Sequence, residues 1–156
     1  MLSTLHTNDA ASTPLRLMDM GVPRYMVGSS LQAVLAQRLV RVICESCTGP
    51  VDLPGSERTW LRSELGELAA STPFFHGKGC SHCNGTGFRG RTGVYELLEM
   101  TRAVTDAVNH PDPAHFLKVA QQQMAGETLR RHAVQLAVQG RTTVSEAMRI
   151  SNQLEE

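Results

Sequence analysis

At 156 residues the chain is long enough for one ordinary domain or two small ones, and its 41% apolar content argues against general disorder. Fifteen basic residues balance 15 acidic ones, so no global field draws the chain to DNA, RNA or an anionic membrane. No apolar run approaches the roughly 20 residues needed to cross a bilayer, and Met1 opens no basic-then-apolar signal segment. A cytoplasmic protein without direct membrane insertion is expected. Aromatic residues are too few for base stacking on an exposed sheet to be a credible mode of action.

Taken in chain order, Met1 to His6 reads as a strand already in progress, which makes the chain a candidate fragment. Asp9 to Met20 reads as a helix, with Thr13 and Pro14 near its start and Gly21 and Pro23 beyond its end. A second helix is predicted over Val27 to Arg38, because Leu31, Val34, Leu35 and Leu39 repeat at spacings that line one buried face. Leu39 to Ile43 is a short β-branched run predicted as a strand. Ser56 to Leu68 is predicted as a short helix, and Thr92 to Glu99 alternates as a strand should.

From Thr101 the pattern is helical. Asp112 followed by Pro113 is an N-cap with proline at the first helical position. Leu129, Ala133, Leu136 and Ala137 form an apolar stripe that Gly140 ends, and Thr143 with Glu146 has the spacing of a reciprocal capping box. The Arg130-Arg131-His132 run is read as the outer face of that helix. The fold class is therefore α+β, mainly helical.

The most specific chemical signal is the cysteine pattern. All four cysteines, Cys44, Cys47, Cys80 and Cys83, fall in two C-x-x-C pairs. A C-x-x-C turn presents two sulfurs on one side of a bend, half of the tetrahedron that zinc prefers, and two such turns complete the shell. Gly49 and Gly85 each follow a pair by two residues, where positive φ would turn amide N–H groups toward the thiolates. Four reduced core thiols or two redox pairs are the alternatives, and neither pair opens a helix in a βαβ setting as a redox motif would. Four thiolates leave no open coordination position, so the expected metal is one structural zinc. His76 and His82 are expected to be solvated polar residues.

Several stretches together resemble the C-terminal part of the type II secretion and type IV pilus assembly ATPases. They are Leu2-Ser3-Thr4-Leu5-His6-Thr7-Asn8-Asp9-Ala10, Met20-Gly21-Val22-Pro23, Gln37-Arg38-Leu39, Gly79-Cys80-Ser81-His82-Cys83 and Gly87 to Leu98. Within the family, the resemblance points to the ATPases of mannose-sensitive haemagglutinin pilus biogenesis.

The resemblance implies a C-terminal remnant of a RecA-like ATPase core over 1–43, a tetracysteine zinc subdomain over 44–100 and a C-terminal helical region over 101–156. It also implies a homo-hexameric parent that binds ATP and Mg, works with an inner-membrane platform protein in protein transport, and sits peripherally at the inner membrane. By the same resemblance His6 matches the family's His box near the γ-phosphate, with Thr4 and Asn8 in support. The sequence contains no G-x-x-x-x-G-K-[S/T] run to wrap phosphates, so the chain is expected to be inactive alone.

Arg38, Arg41, Arg89 and Arg91 flank the cysteine pairs, either as a basic patch facing a neighbouring subunit or as solvated surface. Two other function classes compete. Cys80 to Gly87 also resembles the repeat of the Hsp40 cysteine-rich region, although a single full copy is present. A zinc-ribbon nucleic-acid binder would need clustered positive charge that this neutral chain lacks.

Overall fold

The computed structural model describes residues 1–155, with side-chain surroundings described through Ser151. Its elements are α1 (Ser12–Asp19), α2 (Arg24–Ser30), β1 (Ala33–Ile43), β2 (Thr48–Pro50), α3 (Gly55–Leu65), α4 (Leu68–Ser71), β3 (Phe75–Gly77), β4 (Phe88–Glu99), α5 (Arg102–Asn109), α6 (Pro113–Met124), α7 (Leu129–Val138) and α8 (Val144–Glu155). The fold is α+β. β1 hydrogen-bonds to β4 in one two-stranded sheet, and β2 pairs with β3 in another.

Two compact units, each discontinuous in sequence, divide the chain: residues 1–37 with 95–128, and residues 38–94 with 129–156. Their limits therefore differ from the consecutive divisions expected after residues 43 and 100.

In the first unit, α5 packs against α2 and α6. The spacing predicts apolar stripes of Val104, Ala107 and Val108 on α5 and of Phe116, Leu117, Ala120 and Met124 on α6; all are buried except Leu117, which is half-buried. Thr101 caps α5 through the Val104 amide, and Asp112 caps α6 through the Ala114 amide at 2.9 Å. Gly28 on α2 meets Thr105 and Asn109 so closely that an added Cβ would stand 3.2 Å from the Thr105 methyl carbon. Arg24 donates to the His110 carbonyl, a second tie between these segments. The buried Glu96 carboxylate on β4 accepts the Ala10 amide at 2.8 Å just before α1, and Asp9 accepts the Ser12 amide at 2.6 Å, satisfying an orphan donor of the first turn.

The second unit has α7 against α8 and α3 against α8, with Leu61, Leu129, Ala133, Leu136, Val144 and Ile150 buried. Arg130 is not simply an outer-face residue. Its guanidinium lies 3.3 Å from the Glu64 carboxylate, which ties α7 to α3. Arg41 on β1 is held by its amide, carbonyl and guanidinium together. Glu146 accepts from its amide at 2.9 Å and from its guanidinium at 3.1 and 2.9 Å, while Thr142 donates to its carbonyl at 2.7 Å. The guanidinium also lies 4.1 Å from the centre of the Phe88 ring.

Three sequence expectations change here. The helix predicted over Val27 to Arg38 is instead a short helix followed by β1, and Leu35 and Leu39 are exposed. Leu31, Leu35 and Leu39 are four apart, a spacing that shares a face in a strand as well as in a helix, so the periodicity did not discriminate. Met1 to His6 takes no strand geometry. Alternation sets which face a strand would show but does not supply the neighbouring strand it must pair with.

Only half of the predicted capping box forms. The Glu146 amide bonds the Thr143 hydroxyl at 3.3 Å, but the Glu146 carboxylate is committed to Arg41 and Arg149.

Burial alone would push the Glu146 carboxyl up, yet the Arg41 amide, the Arg41 guanidinium and Arg149 outweigh it and hold the carboxyl below its ordinary 4.5. A depressed carboxylate contributes stability that is complete above the ordinary value and is lost as pH falls through the depressed one. Urea unfolding should therefore show stability declining below about pH 4.5. Glu146→Gln should cost about 1–3 kcal/mol at pH 7 and flatten that acid limb. An unchanged acid limb in the variant would remove Glu146 as its source.

Candidate metal centre

The four cysteines reach one place because two tight turns are brought face to face. Cys44 to Cys47 and Cys80 to Cys83 each form a short 3-10 turn, and the strand that follows the first pairs with the strand that precedes the second. β2 and β3 are antiparallel, with Thr48 opposite Gly77, Gly49 opposite His76 and Pro50 opposite Phe75. Cross-bonds finish the join: the Cys44 amide donates to the Gly87 carbonyl, and the Lys78 amide donates to the Cys47 carbonyl, both at 2.9 Å.

Glycine is required where the backbones cross. A Cβ on Gly77 would run into the Gly87 carbonyl, and one on Gly87 would run into the Gly77 carbonyl. A Cβ on Gly79 would stand 2.7 Å from the Gly85 carbonyl oxygen. Gly85 has the positive φ expected of it, 76°, with Asn84 also left-handed before it, but its amide donates to the Cys80 carbonyl and not to a sulfur. Gly49 differs. It lies in β2 without positive φ, and what it spares is space, since a Cβ there would meet the Lys78 side chain at 2.7 Å.

The sulfurs converge as a tetrahedral shell needs. Cys44 and Cys80 are 3.8 Å apart, Cys47 and Cys83 3.9 Å, and Cys80 and Cys83 3.8 Å, with all four within 4.8 Å of one another. Zinc–sulfur bonds of about 2.3 Å span a regular tetrahedron whose sulfur–sulfur edges are about 3.8 Å. A disulfide would need about 2.05 Å, so these are four separate thiols. Cys44 and Cys83 are buried and the other two partly so.

Amides already point at the sulfurs, since those of Cys80 and Gly87 each lie 3.2 Å from the Cys83 sulfur. Burial pushes the Cys83 thiol up, but these amides and the neighbouring Cys80 and Cys47 sulfurs outweigh it and bring it down to about 6. Burial pushes the Cys47 thiol up, and although the Gly79 amide opposes this, the other three sulfurs carry it to about 11. The Cys83 thiolate is thus favoured while that of Cys47 is resisted, a conflict that a bound dication would relieve by ionising both.

Neither histidine belongs to the sulfur group. His82 is exposed, 3.4 Å from Arg89. His76 is half-buried, and its Nδ1 is buried without a hydrogen-bond partner among the described residues.

Arg38, Arg41, Arg89 and Arg91 lie on β1 and β4, and the Arg41 head is occupied by Glu146. Thr4, His6 and Asn8 are exposed and lie outside helices and strands. The Arg41–Glu146–Thr142 network was not foreseen. Its one sequence signal, Thr143 with Glu146, reads as local capping unless the distant arginine is known.

Two cysteine turns thus bring together four thiols that could hold one metal ion, within an α+β fold. The chain belongs to the type II/IV secretion system protein family, whose model matches residues 1–149. It is 38% identical to the type II secretion system protein E of Dickeya dadantii, covering 98% of this chain and 30% of that protein. It is 33% identical to the type II secretion system ATPase E of Vibrio cholerae, again over 98% of this chain and 30% of that protein. The type IV pilus assembly ATPase PilB of Thermus thermophilus is 36% identical over 95% of this chain and 16% of its own length. The chain thus spans less than a third of these relatives. Among the described residues no helix is long and apolar enough to cross a membrane.

Replacing Gly77 or Gly87 by alanine should cost more than about 3 kcal/mol and abolish metal retention, since backbone must move at the crossing. Gly55→Ala, where a Cβ meets nothing within 4 Å, is the neutral control. Metal content and thermal midpoint read both outcomes.

Proposed function

We propose that this chain is the C-terminal part of a hexameric assembly ATPase that powers secretion or pilus extension by ATP hydrolysis. In this reading Cys44, Cys47, Cys80 and Cys83 hold one structural zinc. The observation that carries the reading is the convergence of four sulfurs at tetrahedral edge lengths, in a chain that belongs to a secretion family. A tetrathiolate shell has no open position for water or substrate. The metal supplies cross-linking alone, tying the turn at Cys44 to the turn at Cys80 and closing the segment between them.

The activity belongs to the whole motor. Relatives named as ATPases are more than three times as long as this chain, and no phosphate-wrapping loop occurs in its sequence. His6, with Thr4 and Asn8, would meet the γ-phosphate in the complete protein, at ATP with its Mg. Arg38, Arg89 and Arg91 remain candidates for contact with a neighbouring subunit or the inner-membrane platform protein. Arg41 is a weaker one, because its guanidinium is engaged within the chain. A cytoplasmic location against the inner membrane follows from that assembly. A likeness to mannose-sensitive haemagglutinin pilus ATPases would place the motor in pilus biogenesis.

The Hsp40-type chaperone and the nucleic-acid binder have less support. The glycine–glycine crossing joins two unlike knuckles into one site, whereas a chaperone repeat would supply like copies.

Purified chain should contain about one zinc, lose its fold on treatment with a strong chelator and regain it with zinc, and show no ATP turnover. Metal-free protein with an unchanged thermal midpoint, or detectable hydrolysis by the chain alone, contradicts the proposal.

A further inference from the structure

Away from the metal centre, the segment between the two cysteine pairs forms a cleft of about 340 Å³ that is open to solvent along one side. The volume lies in the range of ligand sites. Apolar side chains contribute to its lining, among them Val51, Leu53, Leu61 and Phe74, of which Leu61 and Phe74 are buried. Ala69, Ala70 and Pro73 line it too, with small side chains.

Arg58 and Arg62 stand on the rim one helical turn apart on α3, so both project to the same side. Arg58 donates to the Leu53 carbonyl and lies 3.7 Å from Asp52, an exposed pairing of the kind that contributes little and yields easily. The Arg62 side chain is exposed and makes no hydrogen bond or ion pair among the described residues.

We propose that this cleft docks an extended peptide segment of a partner protein, one that alternates apolar and acidic side chains. The apolar residues fill the space over Val51 and Phe74, and the carboxylates meet Arg62 and, displacing Asp52, Arg58. Charge complementarity selects the acidic partner, because guanidinium forks match carboxylates in a bidentate fashion. The open side selects an extended chain over an enclosed small molecule. An alternating segment presents apolar and charged side chains on opposite faces, so that it can meet both the apolar and the arginine side chains of the lining. This surface is separate from the zinc centre, and its role goes beyond the structural one proposed for the cysteines.

The test is a nitrogen-15 NMR titration of the chain with an acetylated, amidated eight-residue peptide of alternating leucine and glutamate. The control has lysine in place of each glutamate. The acidic peptide should shift the amides of Val51, Leu61, Ala69 and Ala70 and bind at least about tenfold tighter than the control. Arg62→Glu should reverse that preference, and Ala70→Trp, which fills the cleft, should abolish binding of both peptides. Equal affinity for the two peptides, shifts confined to other residues, or indifference to Arg62→Glu would each overturn the proposal. So would displacement of the peptide from the same amides by an oligothymidine, since the groove would then be reading anionic charge alone.

Discussion

Four sulfurs within 4.8 Å of one another, three of their separations 3.8–3.9 Å, flanked by amides and partly withdrawn from water, form the constraint around which the second unit is organised. Cys83 and Cys47 move in opposite directions because two amides and two neighbouring sulfurs favour the Cys83 thiolate, whereas burial and the other three sulfurs disfavour that of Cys47. A tetrahedral dication converts the same arrangement from a conflict into a cross-link. The β2–β3 pairing of three residues a side would be marginal by itself, and so would the two 3-10 turns. Their mutual position is fixed by the backbone crossing at Gly77 and Gly87 together with whatever joins the sulfurs.

A second link in this unit runs through β1. The strand that delivers Cys44 also carries Arg41, whose amide, carbonyl and guanidinium are all held by residues between Thr142 and Glu146. The Ile43 amide adds a bond to the Arg141 carbonyl at 3.0 Å. The start of α8 therefore sets the exit of the strand from which the first cysteine turn departs. A polar clamp of this kind is demanding, because a buried carboxylate must be satisfied on both oxygens, and here Arg41 and Arg149 do so together. Its position next to the cysteine turn links packing of the C-terminal helices to the geometry of the metal centre.

Much of this was legible in the sequence, and the failures share a cause. Helices closed by local chemistry were read correctly: Asp112 and Pro113 open α6, Gly140 follows α7, and each uses partners within a few residues. The cysteine spacing likewise announced its own geometry, because each C-x-x-C turn is self-contained.

What could not be read were the features with distant partners. Leu31, Leu35 and Leu39 fit a helix and a strand equally, and only pairing with β4 decides between them. Glu146 looked like a capping residue because the competing acceptor role, for Arg41, lies more than a hundred residues away. Gly77 carried no visible signal at all, since its need arises from a backbone that crosses it ten residues later.

The central claim, a tetrathiolate zinc in a structural role, is tested most directly by X-ray absorption at the zinc edge of the protein as purified. The account predicts a first shell of four sulfurs at about 2.3 Å with no nitrogen or oxygen ligand. A shell containing a light-atom ligand, from His76, His82 or water, would contradict it, because an exchangeable position would then exist where a closed clamp is claimed.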